Sequence, residues 1–297
     1  MNILIANVGN IRSNEVKVLA EALNKNHKIN IATMATESTS CGLAFSGPEE
    51  AIRVSPLLYK EIVANTAWVA HGDISSVKAQ SKTKMAGFDG IAAVEFFSTP
   101  ADAVSIMLCD VMAHQKPDVV LCGINNGTHM GQDIYSSSSI GMAMEASFLG
   151  IPAIAVGIEH QPGGHSEKSL ENAVTFIEKN ITTLAKLRLP KGTVLNINIP
   201  TVDKYKKLNG VKITRMGRMT QFSEYEEKTD SKGKKYYWAK NVERLNGQPD
   251  EEWARTWFDK KYITIVPIDC DATDHDMVKV WQKNMVSKMK TSDGEEH

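Results

Sequence analysis

The sequence lacks the features that would tie it to a polymer, a membrane or an oxidising compartment. Lys and Arg total 34 against 35 Asp and Glu, a formal net charge of -1. There is no basic field to hold nucleic acid and no acidic excess of the kind that keeps chains disordered. A small, discrete ligand suits this balance better than a polyanion does. Cysteine is scarce: Cys41, Cys109, Cys122 and Cys270 are widely spaced and form no C-x-x-C pair. Cys109 and Cys122 sit in apolar runs, where a thiol behaves as a small hydrophobe. This usage predicts a reducing, cytoplasmic setting. No apolar run reaches the roughly 18 residues that a membrane span requires. The first residues enter a strand pattern without a charged n-region or cleavage site, so neither export nor insertion is expected.

What the chain does have is a rhythm. Its 297 residues, 42% hydrophobic, can bury one large core. "NILIAN" (2–7), "KINIAT" (28–33), "GIAAVEF" (90–96), "DVVLCGIN" (118–125), "IPAIAVGI" (151–158) and "TVLNINIP" (193–200) read as strands. Between them lie amphipathic helix patterns: one after residue 13 with Val16, Leu19, Ala20 and Leu23 on one face, one opening at Thr99-Pro100, and others near 138–149 and 166–187. Continuous apolar strands alternating with helices predict a doubly wound, Rossmann-like α/β core with a mostly parallel sheet. The core is expected over 1–204, with 46–89 as a divergent, partly helical insertion. Residues 205–260 are rich in Lys, Glu, Tyr and Trp and carry a turn at Thr229–Gly233, which predicts a protruding β-hairpin arm. An isolated two-stranded ribbon is marginal in water, so Tyr236, Tyr237 and Trp238 are expected to pack on another subunit. Residues 261–297 should return a closing strand and a C-terminal helix to the core.

In open α/β sheets, ligands bind beyond the carboxyl ends of the strands. Two such ends stand out. The first is Asn7-Val8-Gly9-Asn10, which carries no acid. The second is "GINNGTHMGQDIYSSSS" (123–139), whose glycines allow tight turns and whose four serines immediately precede a helix. Hydroxyls and free N–H groups at a helix start form an anion site. The same residues also read as a serine N-cap on a glycine-rich loop, common in α/β proteins.

These residues resemble the SurE (survival protein E) family of 5'/3'-nucleotidases, whose pattern is close to S-G-I-N-x-G-x-N-x-G-x-D-x-x-Y-S-G-T-V-G-A-A-M-E-G. "STPADAV" (98–104), "VLNINIP" (194–200), "ITRMGRM" (213–219), "KKYYWA" (234–239) and "ITIVPIDCDATDH" (263–275) are similar to further family segments. The resemblance implies a SurE-like fold with an arm that pairs subunits into dimers or tetramers. It also implies a phosphomonoesterase acting on nucleoside monophosphates with a divalent metal, Mg²⁺ or Mn²⁺. In the family that metal is held by the two aspartates of N-D-D-G, by a serine of the second loop and by the asparagine of G-I-N. Here Asn7 matches the leading Asn, but Val8 and Gly9 replace both aspartates and Asn10 replaces the Gly. Ser38 and Asn125 match the remaining metal positions, Ser137 and Ser139 match the family's Ser and Thr, and His129 stands where Asn is usual.

The resulting expectations are specific. Asn7, Gly9, Asn10, Asn125, Ser136, Ser137, Ser138 and Ser139 are candidate phosphate contacts, Ser38 and Asn125 candidate metal ligands, and His129 and Asn125 candidate catalytic groups. A hard cation usually needs carboxylate charge, and neutral Ser38 and Asn125 supply none. The metal-dependent reaction is therefore expected to be impaired. Glu15, Glu37 and Asp133 are alternative acids, each also readable as a solvated carboxylate, and Arg12 is an alternative phosphate cation. Two other functions remain open: a nucleotide or phosphate-ester binding protein without hydrolysis, and a metal-independent enzyme built on His129.

Overall fold

The computed structural model describes residues 1–34 except 10 and 12, then 53–57, 91–161, 166–202, 207–245, and 250–285 except 251. The expected strands form where the apolar runs lie. In chain order the first half holds β1 (Asn2–Asn7), α1 (Asn14–Asn24), β2 (Lys28–Met34), β3 (Arg53–Leu57), β4 (Ile91–Phe97), α2 (Pro100–Ile106), β5 (Val119–Asn126) and α3 (Ser138–Phe148). The second half holds β6 (Ala153–Ile158), α4 (Glu167–Ala185), β7 (Thr193–Ile199), β8 (Val211–Ile213), β9 (Met219–Thr229), β10 (Lys235–Leu245), α5 (Ala254–Asp259), β11 (Ile263–Asp269) and α6 (His275–Asn284).

Nine strands make one sheet in the order β3-β4-β2-β1-β5-β6-β7-β11-β8. From β4 to β7 every neighbouring pair is parallel, while β3 and β11 pair antiparallel with β4 and β7. From β1 the chain winds outward through β2 and β4, then returns to lay β5, β6 and β7 on the other side. The order reverses between β1 and β5, and that reversal opens a crevice at their carboxyl ends. One apolar layer, with Val16, Leu19, Leu170 and Ile177 from α1 and α4, covers one face of the sheet. Val104, Ile140 and Ala143 from α2 and α3 cover the other. Only five residues of the divergent 46–89 stretch are described, and they form the edge strand β3; the helical pattern expected after them lies outside the described residues.

Local chemistry sets the helix starts. Thr99 caps α2: its Oγ1 accepts the Asp102 N–H at 3.2 Å, and the Asp102 carboxylate accepts the Thr99 N–H at 3.2 Å. This reciprocal box, with Pro100 at the first helical position, explains why the strand-to-helix turn is sharp. Thr99→Ala is expected to cost about 1 kcal/mol, read as a lower urea midpoint at unchanged slope.

Two elements stand apart from the core. The β9–β10 ribbon is a separate two-stranded sheet, pairing Glu226 with Trp238 and Glu227 with Tyr237, and its Tyr225, Tyr236, Tyr237 and Trp238 are exposed. Helix α6, expected to join the core, has no buried residue among the described part of the chain. Met277, Val278, Val280 and Trp281 all lie on its open surface.

Candidate functional site

The crevice between β1 and β5 is tied together by one side chain. Asn7, only 4% exposed, donates from Nδ2 to the Ile124 carbonyl at 3.2 Å, and its Oδ1 accepts the Gly9 N–H at 2.7 Å. Both ends of its amide are thus engaged within the protein. Asn7 fastens the two strand ends, and the second proton of its amide is not used in either bond. Val8 packs its side chain against the apolar layer under α2 and α3. Gly9 contributes only backbone. Glu15 is half-buried in the first turn of α1. Asn10, Arg12, Glu37 and Ser38 lie outside the described residues.

On the β5 side the chain passes through Gly123 at φ +130 and leaves the strand at Asn125, which is half-buried. The Gly127 N–H bonds the carbonyls of Asn125 at 3.0 Å and Ile158 at 2.9 Å, folding the loop back over β6. The loop then runs through a short turn of helix at Gly131–Tyr135, which carries a half-buried Asp133, and reaches the serines. Ser136 is exposed and its hydroxyl donates to the Asp133 carbonyl at 3.1 Å. Ser137 is the N-cap of α3, with its Oγ accepting the Ile140 N–H at 3.2 Å. Ser138 and Ser139 open the helix; Ser139 is 1% exposed, and its hydroxyl has no partner among the described residues. The 11-residue helix thus begins on the chain that leaves β5, with an unpartnered buried hydroxyl in its first turn.

His129 is not a surface residue. It is 4% exposed, and the polar ends of two strand residues hold its backbone. The Asn198 Oδ1 accepts its N–H at 2.7 Å, and the amides of Asn196 and Asn198 donate to its carbonyl. The ring lies with Nδ1 at 2.9 Å from Ser137 Oγ and with Nε2 unpartnered among the described residues. Gly157 makes the space: a Cβ there would stand 2.2 Å from the Gly127 carbonyl oxygen and 3.2 Å from Nε2. Burial of this kind penalises the imidazolium, lowering the His129 pKa from its ordinary 6.5 to about 4. At neutral pH the ring is therefore uncharged.

Between pH 6.5 and 4 the unfolded chain binds a proton that the folded chain refuses, so stability is complete above about pH 7 and falls as the pH drops through that window. At pH 5 the loss from this one ring is about 2 kcal/mol. His129→Asn should remove that component, so the gap in urea midpoint between variant and wild type is expected to shift in the variant's favour from pH 7.5 to pH 5.

Two groups of functional interest are not singled out by sequence patterns. Asn196 and Asn198 read as strand framework, although two asparagines two residues apart share a face and, if buried, must find polar partners. Glu95, 4% exposed, lies in register with Thr33, which lies in register with Asn7, so a polar row crosses the carboxyl ends of β4, β2 and β1. A carboxylate inside an otherwise apolar strand is the signal that could have found it.

Similarity to known proteins converges on one family. The family model described as "Survival protein SurE" matches residues 3–223. A protein named "5'-nucleotidase SurE" from Caldanaerobacter subterraneus subsp. tengcongensis is 37% identical over 182 residues, 61% of this chain and 68% of that protein. One of the same name from Syntrophobacter fumaroxidans is 29% identical over 280 residues, 94% of this chain and 97% of that protein. The crystal structure of the SurE protein from Aquifex aeolicus superposes with a TM-score of 0.69 at 23% identity, covering 95% of this chain and 99% of that one.

Proposed function

The chain belongs to the survival protein SurE family, and from that premise we propose that it binds a phosphomonoester, of the nucleoside monophosphate class, at the start of α3. We infer further that its metal-dependent hydrolysis is weak. The observation that carries the reading is the contrast between the two walls of the crevice. The serine wall keeps its capped helix start and an unpartnered buried hydroxyl. The β1 wall offers an apolar Val8, a bare Gly9 and a neutral Asn7 whose amide ties β1 to β5.

The family's divalent cation therefore does not fit the described donors. Among the described residues no group of three or more His, Cys, Asp or Glu side chains converges as a metal site. Asn125 is a neutral donor, and Ser38 would add a second, so a hard cation would find no carboxylate charge at these positions. Phosphate recognition then rests on the helix dipole, the hydroxyls of Ser137 and Ser139 and the backbone of the loop. The exposed aromatics of the β9–β10 ribbon support assembly into a homodimer or tetramer, which light scattering of the full chain would read. A cytoplasmic location accords with the free thiols of Cys109, Cys122 and Cys270. No described helix is long and apolar enough to cross a membrane.

The test is a panel of nucleoside monophosphates assayed by calorimetry for binding and by phosphate release for turnover, with Mn²⁺, with Mg²⁺ and with chelator. Binding that survives the chelator, together with slow release, is expected. Fast, chelator-sensitive release overturns the weak-metal reading, and absence of binding overturns the phosphomonoester reading.

A further inference from the structure

We propose that His129 is a positioning residue for anion recognition: it donates from Nδ1 to the Ser137 oxygen and so turns the serine's own proton outward, toward a phosphoryl oxygen at the start of α3. This rests on the phosphomonoester reading above. Hydrogen-bond capacity at Ser137 is what points to it. A serine hydroxyl has one proton and two acceptor lone pairs. At Ser137 one lone pair takes the Ile140 N–H at 3.2 Å, and the imidazole Nδ1 stands 2.9 Å away.

A neutral imidazole carries its proton on one nitrogen only, so two arrangements are available. With the proton on Nε2, Ser137 must donate inward to Nδ1, and a phosphate at the helix start receives nothing from it. With the proton on Nδ1, the ring donates to Oγ, both lone pairs are occupied, and the hydroxyl proton is free to face the ligand. Burial selects the second arrangement. Nε2 is sealed against Gly157 with no partner among the described residues. A buried N–H without an acceptor is a rarer and costlier orphan than a lone pair without a donor.

The rest of the frame keeps the ring in place. Asn196 and Asn198 clamp its backbone from β7, and Gly157 of β6 leaves the room that the ring needs. Burial also keeps the ring neutral near pH 7, so Ser137 faces a fixed donor and not a titrating one. A Ser137 arranged this way can donate and has no accepting lone pair left. It favours an ionised oxyanion over a hydroxyl or amide that must itself donate, which gives the site a chemical preference for phosphate.

Two measurements on the full chain test this arrangement. The first is a long-range proton–nitrogen spectrum of protein labelled with ¹⁵N-histidine at pH 7.5, with the ring assigned through His129→Asn. A pyrrole-type Nδ1 and a pyridine-type Nε2 are expected. The second is titration of wild type, Ser137→Ala, His129→Leu and His129→Asn with inorganic phosphate. Ser137→Ala and His129→Leu should each weaken binding about tenfold or more, the scale of one hydrogen bond to a charged group. His129→Asn, whose amide can still donate to Oγ, should stay within about threefold of wild type. Phosphate binding together with an Nε2-protonated ring, or with an Asn variant as weak as Ser137→Ala, overturns this inference alone. A wild type that binds neither inorganic phosphate nor a nucleotide overturns the phosphomonoester reading and the inference with it. Should His129→Leu fail to fold, the wild-type spectrum and the Asn variant still distinguish the two proton placements.

Discussion

Replacing Val8 and Gly9 together by aspartate is expected to raise Mn²⁺-dependent phosphate release from nucleoside monophosphates by roughly 10²-fold, the scale of one preorganised electrostatic contributor to a transition state. Two carboxylates at the end of β1 would supply the charge that a hard cation needs, across the crevice from Asn125. The backbone tolerates the change. Gly9 does not have a left-handed φ, and a Cβ there would stand 3.1 Å from Asn7 Oδ1, a contact that a small shift of the amide relieves. The cost falls mainly on Val8, whose apolar contacts are lost, and about 1–2 kcal/mol of destabilisation is expected. Each single variant should gain far less than the pair, because the ligands act as a unit. The assay is phosphate release with Mn²⁺ and with chelator. A wild type already as fast as the double variant would mean that the acid comes from elsewhere in the fold.

Gly123→Ala is expected to destabilise the chain by about 4 kcal/mol and to abolish ligand binding. Two costs add. The residue sits at φ +130, where a side chain is strained by about 1–3 kcal/mol. Its Cβ would also stand 2.4 Å from the Val156 carbonyl oxygen and 3.2 Å from the Asn125 N, in a packed region where overpacking costs about 1–3 kcal/mol. Relief requires β5 to move away from β6 just before Asn125, which is the wall of the crevice. Gly150→Ala is the control: its φ is +81, but nothing lies within 4 Å of the added atom. Urea midpoints of the two variants should therefore differ by more than backbone strain alone allows. Equal losses would show that the β5–β6 contact yields freely.

Much of this architecture is legible in the residues themselves. The strand at Asn2–Asn7, the helix opening at Pro100 and the serine-capped helix at Ser138 follow from local patterns: apolar runs, a proline in the first turn, and a hydroxyl before a helix. The missing acid at Val8 and Gly9 is equally plain, since an absence of charge can be read from residue type alone. The turn between β9 and β10 announces itself through Asp230 and Gly233, and the structure closes it with the Gly233 N–H on the Asp230 carbonyl at 3.0 Å.

What only the tertiary structure decided was which polar groups are engaged and which faces are covered. His129 reads in sequence as a loop residue, and it is buried because asparagines 67 and 69 positions away grip its backbone while Gly157 makes room for its ring. Asn7 reads as a ligand, and its amide is engaged because β5 lies beside β1. The apolar residues of α6 read as a contribution to the core, and no described part of this chain covers them. Period and propensity belong to a few neighbouring residues, so the sequence by itself determined the elements and the chemistry they carry. Burial and hydrogen-bond partnership depend on strands brought together from distant parts of the chain, and those were settled only when the sheet assembled.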